Sequence, residues 1–299
     1  MQIKDLDLSY SDIDKIENLH NFPNLITLNL SENKIIKIEN LDDNDKLCTL
    51  FITNNYISII NGLNKLCNLT TLSLANNRIT QIANLDCLVN LRHLYLCNNE
   101  IKKIENLDKL HNLETLNLHD NQITKIENMD KLTNLKYLYL YNNKILNIEN
   151  MDKLVNIKNL FLNGNYISEI VNLDNLINIE RLDLSDNKIA NIKNVHFLHQ
   201  LQDLNLVNNP IKIIKYLNIS SKTKIIINNN VLTPKEYLTK IHYLYCYIGC
   251  LDIQNINNLY IKICAKRIVK SMRKYMYVCL LENTGLCVDV ISYIAKFIY

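Results

Sequence analysis

The residue types best suited to bind a metal ion occur near the C-terminus, where His242, Cys246 and Cys250 recur at four-residue steps. On a helix this spacing places one imidazole and two thiols on the same face, and Zn²⁺ prefers such ligands. Structural zinc sites seldom take three ligands from one helix, however, and the sequence assures no fourth ligand. We interpret the three residues as buried helix positions, and we predict no metal and no other cofactor.

The chain carries none of the common catalytic motifs. It contains no G-x-S-x-G, H-E-x-x-H or Walker sequence, and its four glycines provide little material for a phosphate-binding loop. Acidic residues are numerous, but no pair of them stands out from the general pattern. The sequence therefore predicts a protein that is not an enzyme.

The aromatic and histidine residues between positions 93 and 161 indicate binding. They are expected to face outward from one β-sheet, with charged residues on the C-terminal side of the cluster. An aromatic centre with a charged rim is the composition of a protein-binding hot spot. The alternative is that these residues follow only the preference of strands for aromatic side chains. The predicted partner-binding residues are Phe51, His93, Tyr95, His119, Tyr137, Tyr139, Tyr141, Phe161, Arg181 and Asp183.

A 22-residue repeat is the element that must position these residues. The unit reads L-x-x-L-x-L-x-x-N-x-I-x-x-I-x-N-L-x-x-L-x-N, and ten units fit between residues 3 and 222. The first and last units are degenerate, as expected where end coils close a core against water. One asparagine marks the same position in nine units without insertion or deletion: Asn33, Asn55, Asn77, Asn99, Asn121, Asn143, Asn165, Asn187 and Asn209.

Each position that recurs from unit to unit predicts a structural role. The L-x-L alternation indicates a short strand with one buried face, and stacked strands form a parallel sheet. The Ile and Leu residues that follow are expected to fill the inside of the return segment. The marking asparagine is expected to face inward, where its amide can donate and accept for the bend. A second asparagine column runs from Asn18 to Asn194 and is interrupted by Gly62.

The sequence of residues 102–135, KKIENLDKLHNLETLNLHDNQITKIENMDKLTNL, closely resembles the 22-residue leucine-rich-repeat subfamily. That subfamily includes a regulatory subunit of protein phosphatase 1 and the bacterial internalins, and the resemblance covers about residues 3–222. It implies an α/β fold: a leucine-rich-repeat solenoid with a curved parallel β-sheet on a concave, protein-binding face and short helical or 3-10 return segments. A phosphatase-1 regulatory role is an alternative that it raises. The phosphatase subunit has Trp on its contact surface, whereas this chain has none.

The pattern changes after residue 222. We predict a terminal cap or linker over residues 223–232 and an α-helical region over residues 233–299, where Thr233, Pro234 and Glu236 form a helix start. This region is either a lid on the solenoid or a second docking module. Its last segment, GLCVDVISYIAKFIY, weakly resembles the first helix of F-box-like sequences. The resemblance implies an alternative function as a substrate-recognition adaptor of a ubiquitin ligase.

Charge and cysteine usage bear on the partners and the compartment. The net charge of +3 is too small to indicate a nucleic-acid or membrane partner for the whole chain. The N-terminal sequence lacks the apolar core of a secretory signal, and nine cysteines then favour reduced thiols. Four of them, Cys48, Cys67, Cys87 and Cys97, fall at different offsets within the repeats, as small space-fillers would. We predict a monomer that binds a partner protein in the cytoplasm, with the nucleus as the alternative compartment, and we do not expect secretion.

Overall fold

The computed structural model describes residues 3–192, 194–195, 197–211, 213–214 and 224–226. Within these residues the chain forms thirteen short strands and one 3-10 turn, η1 (Leu19–Asn21). The strands are β1 (Asp5–Asp7), β2 (Thr27–Asn29), β3 (Thr49–Phe51), β4 (Thr71–Ser73), β5 (His93–Tyr95), β6 (Thr115–Asn117), β7 (Tyr137–Tyr139), β8 (Asn159–Phe161), β9 (Arg181–Asp183), β10 (Asn191–Ile192), β11 (Asp203–Asn205), β12 (Ile213–Ile214) and β13 (Lys224–Ile226).

Eleven of these strands form one parallel sheet. Its order is β1-β2-β3-β4-β5-β6-β7-β8-β9-β11-β13, so that each coil of the chain adds one strand beside the previous one. From β1 to β11 the paired residues are 22 positions apart, as Thr27 pairs with Thr49. The step to β13 is 21, since Asp203 pairs with Lys224. The sheet therefore extends by one strand into the segment predicted to be a cap.

The repeat sequence explains the strand and its buried face. The central Leu is buried in strands β2 to β9 and in β11, and Leu116 of β6 has 0% exposure. Most residues on either side of the central Leu stay partly accessible. The Ile and Leu positions of the return segment complete a continuous aliphatic core along the stack. Because aliphatic burial contributes about 1.5–3 kcal/mol per side chain in gross terms, stacking of coils dominates the stability.

The inward-facing asparagine ladder is confirmed. In a typical coil Asn121 accepts a hydrogen bond through Oδ1 from the Ile101 N–H at 2.9 Å. Its Nδ2 donates to the carbonyl oxygens of Leu96 at 3.0 Å and Leu118 at 3.1 Å. One amide thus satisfies backbone groups of two successive coils that would otherwise be buried without partners. This requirement explains why the residue type and the 22-residue step are both fixed.

The second asparagine column has a different physical cause. Its residues adopt the left-handed conformation, and from Asn40 onward each amide donates to a carbonyl of the previous coil, as Asn106 Nδ2 does to Ile82 O at 2.7 Å. Gly62 keeps that conformation, with φ of +65°. A Cβ atom on Gly62 would lie 2.2 Å from the Ile38 carbonyl oxygen. The two coils therefore approach more closely there, and only glycine fits.

The prediction of helical or 3-10 return segments is wrong for the described coils beyond η1. The other return segments consist of linked turns in which the bonded donors are three residues apart. Leu110 N–H donates to Leu107 O at 3.0 Å, and Leu113 N–H donates to Leu110 O at 3.0 Å. A helix needs such bonds from consecutive residues. The apolar side chains still reach the core, because every third residue points inward.

The C-terminal predictions lie outside the described residues. These are the helical region 233–299 with its Thr233 start, most of the cap at 223–232, the F-box-like segment and the trio of His242, Cys246 and Cys250. In the part of the chain that the structure describes, no helix is long and apolar enough to cross a membrane. Nor does any group of three His, Cys, Asp or Glu residues in this part have the arrangement of a metal site.

Candidate functional site

The outward side of the large sheet carries the predicted binding residues. We define the sheet face as the first and third residues of each strand together with the residue two positions after the strand. Because the central Leu points into the core, its two neighbours must point away from it. The pairing puts equivalent residues of successive coils side by side, as Tyr139 is beside Phe161. The sheet face therefore consists of three columns. Within each column, side chains 22 residues apart are neighbours.

Tyr139 and Phe161 form the centre of this surface. Their rings are stacked, with centroids 5.1 Å apart and planes inclined by 3°. Neighbouring strands lie about 4.8 Å apart, so the fold itself holds the two rings at stacking distance. Both side chains are half-buried. Each ring consequently keeps one part of its surface available for a partner while the other part is fixed by its neighbour.

A second stacked pair lies in the column beyond the strand ends. The rings of His119 and Tyr141 are 4.2 Å apart between centroids and inclined by 10°. His119 Nδ1 also hydrogen-bonds with the Asp120 carboxylate. The stack and the hydrogen bond hold the imidazole at a fixed orientation. Both residues are half-buried, so this pair extends the aromatic surface to one edge of the sheet.

His93, Tyr95 and Tyr137 complete the aromatic cluster, whereas Phe51 lies apart from it. His93 Nδ1 hydrogen-bonds with Thr115 Oγ1 at 3.1 Å, and Thr115 separates His93 from Tyr137 in that column. Phe51 is two strands from the cluster, on β3. We use aromatic cluster below for His93, Tyr95, His119, Tyr137, Tyr139, Tyr141 and Phe161.

The phenol groups of Tyr139 and Tyr141 are held in the neutral form. Burial raises the pKa of Tyr139, and the neighbouring Tyr95 and Tyr137 raise it further. Burial also raises the pKa of Tyr141, with a smaller effect from the Asp120 carboxylate. Phenol hydroxyls that stay protonated both donate and accept hydrogen bonds. The cluster can therefore offer polar contacts as well as apolar surface without bearing negative charge.

Arg181 and Asp183 differ in what they leave for a partner. The Arg181 side chain is 59% exposed, and its Nε lies 3.4 Å from Asp203 Oδ2. Asp183 is occupied by its own chain: Oδ1 accepts from Ser185 N at 2.9 Å and Ser185 Oγ at 2.7 Å, and Oδ2 accepts from Asn205 Nδ2 at 3.0 Å. Arg181 is thus accessible at the rim, while Asp183 mainly fixes the turn after β9.

A charged edge that the sequence analysis did not predict borders the aromatic cluster. It consists of the residues immediately before the strands. Arg92 Nη1 and Lys136 Nζ each lie 2.7 Å from an oxygen of Glu114, and Lys158 Nζ lies 3.1 Å from Glu180 Oε1. The ion pair with Lys136, and then that with Arg92, holds the pKa of Glu114 below its usual value. The signal in the sequence was the recurrence of charged residues of both signs at 22-residue steps along this column.

Cys97, His119 and Asp120 are residue types used in nucleophilic catalysis, and the fold brings them into adjacent coils. Burial, and to a smaller extent the Asp120 carboxylate, raise the pKa of the Cys97 thiol to about 11. A thiol with this pKa stays protonated near neutral pH and is a poor nucleophile. The arrangement consequently gives no support to a catalytic role for Cys97.

Comparisons with known proteins agree with the architecture. Residues 45–87 and 89–131 each match the family model described as leucine-rich repeats, two copies. The matched segments make up less than a third of the chain. No curated protein matches the chain significantly. The described part of the chain is a leucine-rich-repeat solenoid with a parallel sheet.

Three solved structures illustrate this likeness. A leucine-rich-repeat protein of Leptospira interrogans, LIC12759, is 26% identical with a TM-score of 0.68, over 78% of this chain and 61% of its own. The internalin inlF of Listeria monocytogenes is 27% identical with a TM-score of 0.62, over 76% and 74%. The functional domain of InlJ from the same organism, described as including a cysteine ladder, is 22% identical with a TM-score of 0.65, over 76% and 54%. This chain thus spans little more than half of the InlJ domain.

Proposed function

We propose that this leucine-rich-repeat solenoid is a protein-interaction scaffold that holds a partner protein on the sheet face, with the aromatic cluster as the anchor. The observation that carries the proposal is the pair of stacks, Tyr139 on Phe161 and His119 on Tyr141. Rings already held by neighbours lose little conformational freedom on binding, so more of the contact energy contributes to affinity. Large aromatic residues on rigid elements are also the usual hot spots of interfaces.

The shape of the surface favours a protein over a small molecule. Small-molecule sites are concave and enclose most of their ligand. Two grooves in the described part of the chain, of about 430 and 630 Å³, lie along the edges of the sheet, and neither is lined by a residue of the aromatic cluster. The cluster itself spans β5 to β8, about 14 Å across the strands. An area of this extent suits the core of a protein interface.

The proposal is tested by affinity capture with a triple variant, Tyr95→Ala, Tyr139→Ala and Phe161→Ala. Captured proteins are quantified by mass spectrometry against the unaltered chain. Losing hot-spot side chains costs about 2 kcal/mol or more, so we expect at least a tenfold loss of the specific partner. If the folded triple variant captures every partner as well as the parent, the sheet face is not the binding surface.

A matched control removes the same number of apolar side chains from the return segments. Ile59, Leu146 and Ile177 are 67%, 57% and 54% exposed there, and all three are changed to Ala. The control is expected to capture the partner at the level of the parent. Loss of the partner in the control with retention in the aromatic variant would place binding on the return segments and contradict the proposal.

Two finer alternatives rest on sequence resemblance alone. A phosphatase-1 regulatory role follows from the repeat type, and a ubiquitin-ligase adaptor role follows from the F-box-like segment. Direct binding of the full-length chain to purified phosphatase-1 catalytic subunit, or to a purified ligase adaptor subunit, separates them. In the ligase case, Ile294→Asp in the F-box-like segment should abolish adaptor binding and leave the sheet-face partner bound. We further propose a monomer that acts in the cytoplasm or nucleus.

A further inference from the structure

Two thiols meet in the return segments of successive coils, away from the sheet face. Cys87 Sγ lies 3.2 Å from the carbonyl oxygen of Leu63, and Cys67 Sγ lies 3.9 Å from that of Asn64. The two accepting carbonyls belong to consecutive residues of a single turn. The two thiols are near enough to each other that Cys67 raises the pKa of Cys87. The two sulfur atoms therefore lie beside the same turn, at the boundary between the two coils.

Backbone contacts fix both residues in this arrangement. Asn90 Nδ2 donates to the Cys67 carbonyl oxygen at 3.0 Å, which joins the two coils at that point. The Leu66 N–H donates to Leu63 O at 2.9 Å, and the Leu88 N–H donates to Leu85 O at 3.0 Å. The segments that carry the thiols are thus held by hydrogen bonds on each side. A disulfide bond between the two residues would join segments that the fold already holds in adjacent coils.

The two thiols differ in accessibility. Cys67 is exposed, which does not agree with its interpretation as a space-filler, and Cys87 is half-buried. Burial, and then the neighbouring Cys67 thiol, raise the pKa of Cys87 to about 11. An oxidant in solution therefore reaches Cys67 first. Cys87 is placed to react second, with the sulfur atom of Cys67 after Cys67 has reacted with the oxidant.

We propose that Cys67 and Cys87 are a site of reversible oxidation, at which a low-molecular-weight disulfide such as oxidised glutathione converts the two thiols into one disulfide bond. The Cys67 thiolate attacks a sulfur of the small disulfide, forms a mixed disulfide and releases one glutathione thiolate. The Cys87 thiolate then attacks Cys67 Sγ and releases the second. Two cysteine protons are transferred to the two released thiolates, so that one disulfide is reduced as one is formed.

The second step is favoured by proximity. A thiol held beside the mixed disulfide reacts as if at a high local concentration, which offsets the small fraction of thiolate that its raised pKa leaves. Once Cys67 is part of the mixed disulfide, its own contribution to the Cys87 pKa is also removed. The pair is offset by 20 residues and not by the 22 of the repeat, so it differs from a column of equivalent cysteines. Cys48 and Cys97 lack such a neighbouring thiol among the described residues.

Trypsin offers a direct test, because each of the described cysteines lies in its own tryptic peptide. Cys67 is in residues 66–78, Cys87 in residues 79–92, and Cys48 in residues 47–65. The folded full-length chain is reduced, freed of reductant, treated with oxidised glutathione, quenched with acid and digested without reduction. We expect the linked pair 66–78 with 79–92 to exceed every other linked pair that contains Cys67 by at least tenfold. Treatment with dithiothreitol should return both peptides to the free thiols.

The variants C67S, C87S and C48S complete the test. C48S is the matched control and should form the same linked pair as the parent. In C87S, Cys67 should accumulate as the mixed disulfide with glutathione. In C67S, Cys87 should form neither a mixed disulfide with glutathione nor a linked peptide pair at the rate at which Cys67 reacts in the parent. If the unaltered chain instead stops at the mixed disulfide on Cys67, with Cys87 still free, or if Cys67 links to other cysteines as readily, the proposal is wrong. Neither outcome bears on partner binding at the sheet face.

Discussion

The ring of Tyr139 lies 5.1 Å from the ring of Phe161 in the next coil, and the two planes are within 3° of parallel. This distance is close to the spacing of about 4.8 Å between neighbouring strands. The stack is therefore a consequence of placing two aromatic residues 22 positions apart. It also makes the centre of the proposed binding surface rigid before any partner arrives.

We expect Tyr139→Ala and Phe161→Ala to show an energetic coupling of about 0.5–1.5 kcal/mol in a double-mutant cycle. Each single change should lower the free energy of unfolding by about 1 kcal/mol, because both rings are only half-buried. Urea unfolding followed by circular dichroism measures the three variants and the parent. Strictly additive effects would mean that the rings do not stabilise each other.

The asparagine ladder predicts that replacing Asn121 lowers the unfolding free energy much more than replacing the exposed Asn112 does. Asn121→Ala removes four hydrogen bonds and leaves the buried Ile101 N–H without its acceptor. We expect a loss of about 3 kcal/mol in unfolding free energy, since each buried group left unpaired costs about 1–3 kcal/mol. Thermal and urea unfolding give the measurement.

Asn112→Ala is the matched control for that change. Asn112 is exposed and makes one hydrogen bond, from Nδ2 to Val89 O at 2.9 Å. Its loss should cost no more than about 1 kcal/mol. Equal costs for the two variants would show that the ladder derives its stability from something other than the pairing of buried groups.

The fold followed from the sequence because its period is imposed by backbone hydrogen bonding. Asn121 hydrogen-bonds with backbone groups of two coils at once, so both its residue type and its 22-residue spacing are fixed. The fixed spacing in turn sets the register of the sheet. The return segments were predicted less well. Apolar residues at every third position, such as Leu107, Leu110 and Leu113, fit a 3-10 turn and a pair of linked turns equally well. The choice depends on backbone angles that the pattern does not contain.

The candidate site was predictable in its membership and less so in its detail. Which side chains share the sheet face follows from the L-x-L alternation, and the neighbours of Tyr139 follow from the 22-residue step. Ring orientation depends on the rotamers that packing selects. The hydrogen bonds that Asp183 makes with Ser185 and Asn205 likewise depend on three-dimensional contacts that the repeat pattern does not contain.

Acid should weaken the charged edge through Glu114. Its pKa is lowered in the folded chain by Lys136 and Arg92, so the stabilising contribution is present above the unfolded value, about 4.3, and is lost as the pH falls through the folded value. We expect Glu114→Gln to lower the unfolding free energy by about 0.5–1 kcal/mol at pH 7. The difference from the parent should shrink as the pH falls from the unfolded value through the lowered folded value. A difference that stays constant with pH would contradict this origin.

We expect the same substitution, Gly→Asn, to change the stability differently at the two glycines of the repeats. Both have positive φ at positions where other coils carry Asn, so a consensus argument expects Gly62→Asn and Gly164→Asn to stabilise the chain alike. The structure separates them. At Gly62 an added Cβ would lie 2.2 Å from the backbone oxygen of Ile38, which cannot move without shifting the coil. At Gly164 it would lie 2.3 Å from Oδ1 of the Asn142 side chain, which can rotate away.

We therefore expect Gly62→Asn to lower the unfolding free energy by about 2 kcal/mol, as overpacking against a fixed group does. Gly164→Asn should stay within about 1 kcal/mol of the parent, because Asn tolerates the left-handed conformation and only a side-chain end must give way. Urea unfolding of both variants under the same conditions measures the difference. If Gly62→Asn is at least as stable as the parent, the coils at Ile38 and Gly62 do not approach each other as closely as the structure shows. The regular asparagine column would then extend through this position.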